Sequence, residues 1–176
     1  MTISVMLDIE TLGYRPECVI LTLGAVRFDP RGEVSTDHRI YLKPDVDQQL
    51  EIGRCVDQST VDWWAQQPEH IREEAMSMHD RTSLEDFRAT LNKFLVGVDD
   101  IWCQGPVFDI CILENLYRSQ NWSVPWNFWQ IRDSRTLFKV HGDPRSKDTN
   151  LKHNALEDCV IQAQALIKVY QTSVKL

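Results

Sequence analysis

The chain reads as one α/β domain built on a mixed central β-sheet with helices on both faces. Three observations lead there. The first 42 residues carry three apolar or β-branched runs separated by short turns, the pattern of an antiparallel meander. From about residue 59 the apolar period lengthens, and helical stretches then alternate with short strands. The length, 176 residues at 43% apolar composition, suits a single core, and no linker or low-complexity stretch divides it. A single domain is therefore expected over residues 1–176.

The elements follow in order. Residues 3–8 predict the first strand, Val19–Phe28 the second and residues 36–42 the third, with a turn at Gly32. Ser59-Thr60 before "VDWWAQQ" is a helix start, and Pro68 stops or interrupts that helix. Ser83-Leu84-Glu85-Asp86 has capping-box spacing ahead of Phe87, Leu91, Phe94 and Leu95 at helical intervals. Residues 100–103 predict a short strand, broken by Gly105-Pro106, then a helix over 108–120 with Ile112, Leu113, Leu116 and Tyr117 inward. A short strand near 129–133, a polar loop at 141–153 and a last helix complete the chain.

Composition narrows the classes. No apolar run approaches the roughly 18 residues a membrane helix needs. The first residues carry neither positive charge nor a cleavage pattern. Five cysteines at spacings unlike a zinc or redox motif read as reduced thiols. The expectation is a cytoplasmic protein with no membrane partner. A net charge of −7 argues against a broad basic surface for phosphates, yet allows a site that holds them through cations.

Three acidic stretches stand out. In "LDIETLG", Asp8 and Glu10 share one face of a strand, where they repel unless a positive charge lies between them. Alone, they also fit a frayed strand end. In "QGPVFDICILE", Asp109 opens a helix, a position the helix dipole favours for any acid. In "KHNALEDCV", Asn154 caps the last helix with Glu157 as its third residue, leaving His153 on the loop. Asp158 then falls on a flank with Ala155, Ala165 and Val169, where a second element can come close.

Taken together these residues resemble the DEDDh branch of 3′–5′ exonucleases. Asp8-Ile9-Glu10-Thr11, Phe108-Asp109 and His153 followed five residues later by Asp158 occur in the family's order. "STVDWWAQQ", "WCQGPVFDICILE" and "RDSRTLF" are similar to the small phage and bacterial exonucleases, the branch of phage exonuclease A and the mycobacterial exoribonuclease. One departure is Gln104-Gly105-Pro106-Val107, where many relatives carry an Asn shortly before the Phe-Asp.

The resemblance implies a ribonuclease H-like fold and release of nucleoside 5′-monophosphates from the 3′ end of single-stranded RNA or short oligonucleotides. It implies two divalent cations, Mg²⁺ or Mn²⁺, ions that prefer the oxygen ligands Asp8, Glu10, Asp109 and Asp158 supply. Asp8, Asp109 and Asp158 would share one ion, and Asp8 and Glu10 the second. His153 would be the general base, since imidazole titrates near neutrality. Thr11, Leu12 and Phe108 would meet the terminal nucleotide. Of the adjacent Trp63 and Trp64, one packs in the core and the other could stack a base, with Trp64 assigned nearer the substrate and core packing of both as the alternative.

Residues 132–152 hold six Lys/Arg against three Asp, so Arg135, Arg145, Lys147 and Lys152 are candidate phosphate contacts, with a solvated loop as the alternative. Single-stranded DNA remains an alternative substrate. A non-catalytic nucleic-acid-binding module on the same fold is a third reading, and an interaction domain with incidental acids a fourth. Relatives of this kind are in some cases homodimers.

Overall fold

The computed structural model describes residues 2–145 and 153–173. Lys147 and Lys152 of the basic stretch lie outside the described residues. Among the described residues five strands form one sheet: β1 (Ser4–Thr11), β2 (Ile20–Phe28), β3 (Val34–Leu42), β4 (Asp100–Cys103) and β5 (Ile131–Asp133), in the spatial order β3-β2-β1-β4-β5. β1, β2 and β3 form the antiparallel meander, while β1, β4 and β5 run parallel.

Among the described residues seven α-helices cover the sheet: α1 (Val46–Glu51), α2 (Gln58–Ala65), α3 (Glu69–Met76), α4 (Leu84–Phe94), α5 (Pro106–Ser119), α6 (Ser134–His141) and α7 (Ala155–Ser173). Alternation along β1 builds two cores. Val5, Leu7 and Ile9 pack on one side with Phe87 and Leu91 of α4 and Ile112, Leu113 and Leu116 of α5. Met6 packs on the other with Phe138 of α6 and Cys159, Ala163 and Leu166 of α7. The pleat therefore puts Asp8 and Glu10 on the α6–α7 face. A small third cluster, Leu21, Trp64 and Ala75, seats α2 and α3.

The meander, the two capped helices α4 and α7 and the alternation of strands and helices between them match expectation. β1 is longer than the sequence predicts, so both acids lie within the strand. α1, α3 and α6 were not anticipated. α1 is a six-residue polar segment held by Asp45, whose side chain accepts from Gln48 N–H. α6 starts directly from β5, with the Asp133 carboxylate accepting from Arg135 N–H. Pro68 separates two helices, ending the turn after α2 and preceding the first residue of α3.

Candidate active site

The cleft forms where β1 and β4 part. β4 pairs with β1 only across Ser4–Met6, because the chain leaves the sheet after Cys103. Gly105 makes that turn with φ at +125°, a conformation natural to glycine, and Pro106 opens α5 with a φ already suited to the helix. α5 thereby brings Asp109 beside the open edge of β1, where Asp109 Oδ1 accepts from Ile9 N–H at 3.2 Å. Asp109 is 4% exposed.

The fourth acid arrives on α7, and a glycine lets it. Gly24 of β2 lies in register with Asp8. A Cβ at Gly24 would sit 2.3 Å from the α7 backbone at Ala155 and Leu156, so only glycine admits this approach. The first turn of α7 therefore rests on the sheet, and Asp158 reaches the face that bears Asp8 and Glu10. One carboxylate oxygen from each of Asp8, Glu10 and Asp158 lies within 4.8 Å of the others.

His153 enters through the cap of the same helix. Asn154 Oδ1 accepts from the N–H groups of Leu156 and Glu157, as its capping position predicts. His153 takes a left-handed φ of +74°, which costs a non-glycine residue about 1–3 kcal/mol. Its N–H donates to Asp158 Oδ2 at 2.9 Å, so the acid itself holds the turn that carries the histidine. The imidazole Nδ1 lies 3.9 Å from Glu10 Oε1, and the Trp63 ring packs edge-on against the imidazole at 4.8 Å.

Crowded acids titrate abnormally. Burial, then repulsion from Asp109, Glu10 and Asp158, drives the Asp8 carboxyl well above its usual range. Burial and the charges of Asp158 and Asp109 push Glu10 up to about 8. Burial raises Asp109 to about 7, against the opposing pull of the Ile9 N–H, its own N–H and Arg135. Such a cluster favours any cation that neutralises it. All its donor atoms are oxygen, the set suited to Mg²⁺ or Mn²⁺ and unlike a zinc site built on Cys and His.

A cleft of about 180 Å³ runs beside the cluster, lined by Asp8, Ile9, Gln104, Phe108, Asp109, Arg135 and Gln162. Phe108 and Arg135 thus stand where substrate contacts were expected. Arg135 Nη2 donates to Gln104 O at 2.7 Å, which aims the guanidinium across the mouth. Arg145 is placed differently. It pairs with Asp143, bonds the Gln104 side chain and lies over the Phe138 ring at 5.0 Å, so it braces the cleft from behind.

The tryptophan assignment is corrected. Trp64 is 0% exposed, and its Nε1 donates to Thr11 O at 2.9 Å, so it offers no face to a base. Trp63, 39% exposed and against His153, holds the outward position. Thr11 is corrected too: it is buried, and its hydroxyl donates to Gly13 O, so it shapes the loop. Leu12 is half-buried and packs on the Trp64 cluster. Gln104 stood out in the sequence only as part of the departure before Phe108-Asp109, and Gln162 not at all, yet both line the cleft. A signal existed for Gln162, which lies one helical turn beyond Asp158 and so on the same side of α7.

Sheet order and the place of the acidic cluster define the class, a ribonuclease H-like domain. Direct comparison supplies the family. A model described as the 3′-5′ exoribonuclease Rv2179c-like domain matches residues 3–170, and the chain belongs to that family of hydrolases. The exodeoxyribonuclease of Enterobacteria phage T4 is 28% identical, over 77% of this chain and 70% of the phage protein. Among solved structures, cell-death related nuclease 4 (CRN-4) superposes with a TM-score of 0.62 at 13% identity, over 98% of this chain and 64% of that one. E. coli exonuclease I in complex with a dA16 oligonucleotide gives 0.65 at 16% identity, over 98% and 43%. The chain thus spans less than half the length of exonuclease I, and at these identities the likeness is one of fold.

Proposed function

We propose that this domain removes nucleotides one at a time from the 3′ end of single-stranded RNA or short oligonucleotides, using two divalent cations and His153 as general base. The observation that carries the reading is the convergence of Asp8, Glu10 and Asp158 with a histidine tied by its own N–H to Asp158. Asp8, Glu10, Asp109 and Asp158 would hold the cations. Bound there, the ions would lower the charge on the scissile phosphate and stabilise the attacking and leaving oxygens of an in-line displacement.

The remaining roles fall to the chain's own groups. His153 takes the proton of the attacking water, and the nearby Glu10 carboxylate favours the imidazolium that results. Asp158 holds the His153 backbone through its N–H, and Trp63 packs edge-on against the ring. Trp63 offers an indole face to the terminal base, a contact indifferent to sequence. Phe108 lines the floor, and Arg135 supplies a positive charge for the backbone in an otherwise acidic cleft.

RNA is favoured by the family to which the chain belongs. DNA is the second reading, favoured by the similarity to the phage T4 exodeoxyribonuclease. Matched RNA and DNA oligomers, labelled at the 5′ end and incubated with Mn²⁺, Mg²⁺ or EDTA, separate the two. Stepwise 3′ shortening of RNA several-fold faster than of DNA is expected, with none in EDTA. Equal or faster loss of DNA would overturn the RNA assignment, and activity in EDTA would overturn the cation site. His153→Ala should lower kcat by about 10²–10⁴-fold while Mn²⁺ binding persists. An unchanged kcat would remove the histidine from its role.

A further inference from the structure

Gln162 is an anomaly on α7. It sits on the helix side that faces the sheet, 5% exposed, among Cys159, Ala163 and Leu166. An apolar residue would satisfy that position, since a buried amide is disfavoured unless both its ends are bonded. One end is bonded: Nε2 donates to Asp8 Oδ1 at 3.4 Å. The other end, Oε1, is buried with no protein donor among the described residues, and Gln162 lines the cleft that also holds Asp8, Asp109 and Arg135.

The orientation of the amide is forced by its neighbour. When Asp8 holds a cation its carboxylate is ionised and only accepts hydrogen bonds, so the amide turns its N–H₂ to Asp8 and its carbonyl to the cleft. A carbonyl oxygen there repels phosphate oxygens and attracts a ligand that carries hydrogen. We propose that Gln162 is a positioning residue of the cation site: it fixes the rotamer of Asp8 through Nε2 and, through Oε1, accepts a hydrogen bond from a water in the shell of the cation that Asp8 and Asp109 hold.

This rests on the cation-site reading above, and it adds a residue outside the four carboxylates. Groups that orient a ligand in this way typically contribute about 10–100-fold to metal affinity.

The test is a Mn²⁺ titration of the full chain without substrate, followed by electron paramagnetic resonance, for the native protein and for Gln162→Met, Gln162→Glu and Asp8→Asn. Gln162→Met keeps the length and removes both polar atoms. It should bind Mn²⁺ about 10–100-fold more weakly and regain most of its kcat at saturating Mn²⁺. Gln162→Glu keeps an acceptor and adds charge, and should bind Mn²⁺ more tightly than Gln162→Met does. Native-like Mn²⁺ affinity in Gln162→Met, or equal affinities in the two Gln162 variants, overturns the proposal. Asp8→Asn separates the two levels: if it too binds Mn²⁺ like the native protein, the cation site itself fails, whereas if it alone loses binding, only the role of Gln162 does.

Discussion

Trp63 and Trp64 differ by one position and about 100° of helix rotation, and that rotation divides their work. Trp64 fills the cluster with Leu21 and Ala75 and bonds the backbone at Thr11, so it fastens α2 to the end of β1. Trp63 is partly exposed and packs its ring against His153. Opposite consequences are expected on truncation. Trp64→Ala should destabilise the fold by about 3–5 kcal/mol, the usual cost of emptying a buried aromatic site. Trp63→Ala should leave the denaturation midpoint nearly unchanged and weaken oligonucleotide binding by about 1–3 kcal/mol. Denaturant melts and KM values for the two variants check this, and a stability loss confined to Trp63→Ala would reverse the assignment. The sequence alone told that one ring faces inward, and it could not tell which. That choice depends on how α2 rolls against Leu21, a contact between residues more than 40 positions apart. Asp8, Glu10, Asp109, His153 and Asp158 stood out in the sequence only through the order and spacing of three motifs, since each alone has an ordinary explanation. Gln162 did not, because a glutamine in a helix is ordinary until its burial is known.

Elements meet at this site through close backbone approach, and Gly24 is the contact that decides it. Gly24 sits inside a strand, where glycine otherwise weakens the element. Its lack of a Cβ lets α7 settle on β2 opposite Asp8, and that one seating delivers both His153 and Asp158. Gly24→Ala must push the first turn of α7 off the sheet. We expect a loss of about 1–3 kcal/mol in stability, as for other overpacked sites. Activity and Mn²⁺ affinity should fall together and further than that loss explains, since the helix remains anchored by Leu166 and Val169 farther along. Native-like Mn²⁺ affinity in Gly24→Ala would show that α7 can yield without moving Asp158. The same contact explains what the periodicity of α7 left open. Its small flank of Ala155, Ala165 and Val169 announced a close neighbour but not the strand that supplies it. α6 was missed for a different reason: its eight residues begin directly after the last residue of β5, with no intervening turn to mark the change.

The molecule as a whole carries seven excess negative charges and concentrates its most strained ones in a single cleft. Linkage then sets how stability responds to pH. For Glu10, the carboxyl rises from its usual 4.5 to about 8 on folding, and for Asp109 from 3.8 to about 7. Between those limits the folded state binds more protons than the unfolded chain, so stability falls as pH rises. Without divalent cations the contribution is whole below the unfolded values near pH 4, and is lost as pH climbs through about 7 and 8. Cations reverse the slope, because they bind the ionised acids of the folded state and stabilise it by mass action. Thermal melts in EDTA should therefore show Tm decreasing from pH 5 to pH 8. Melts in excess Mn²⁺ should show an increment over EDTA that grows across the same interval. An increment independent of pH would mean that the cations bind away from Asp8, Glu10 and Asp109. The same balance governs the approach of substrate: a phosphodiester chain is repelled by this surface until the cleft is neutralised, so oligonucleotide binding should require the divalent ion even in variants that cannot cleave. His153→Ala, with its four carboxylates intact, is the variant in which to measure it, and binding that survives EDTA there would show that Arg135 and its neighbours suffice.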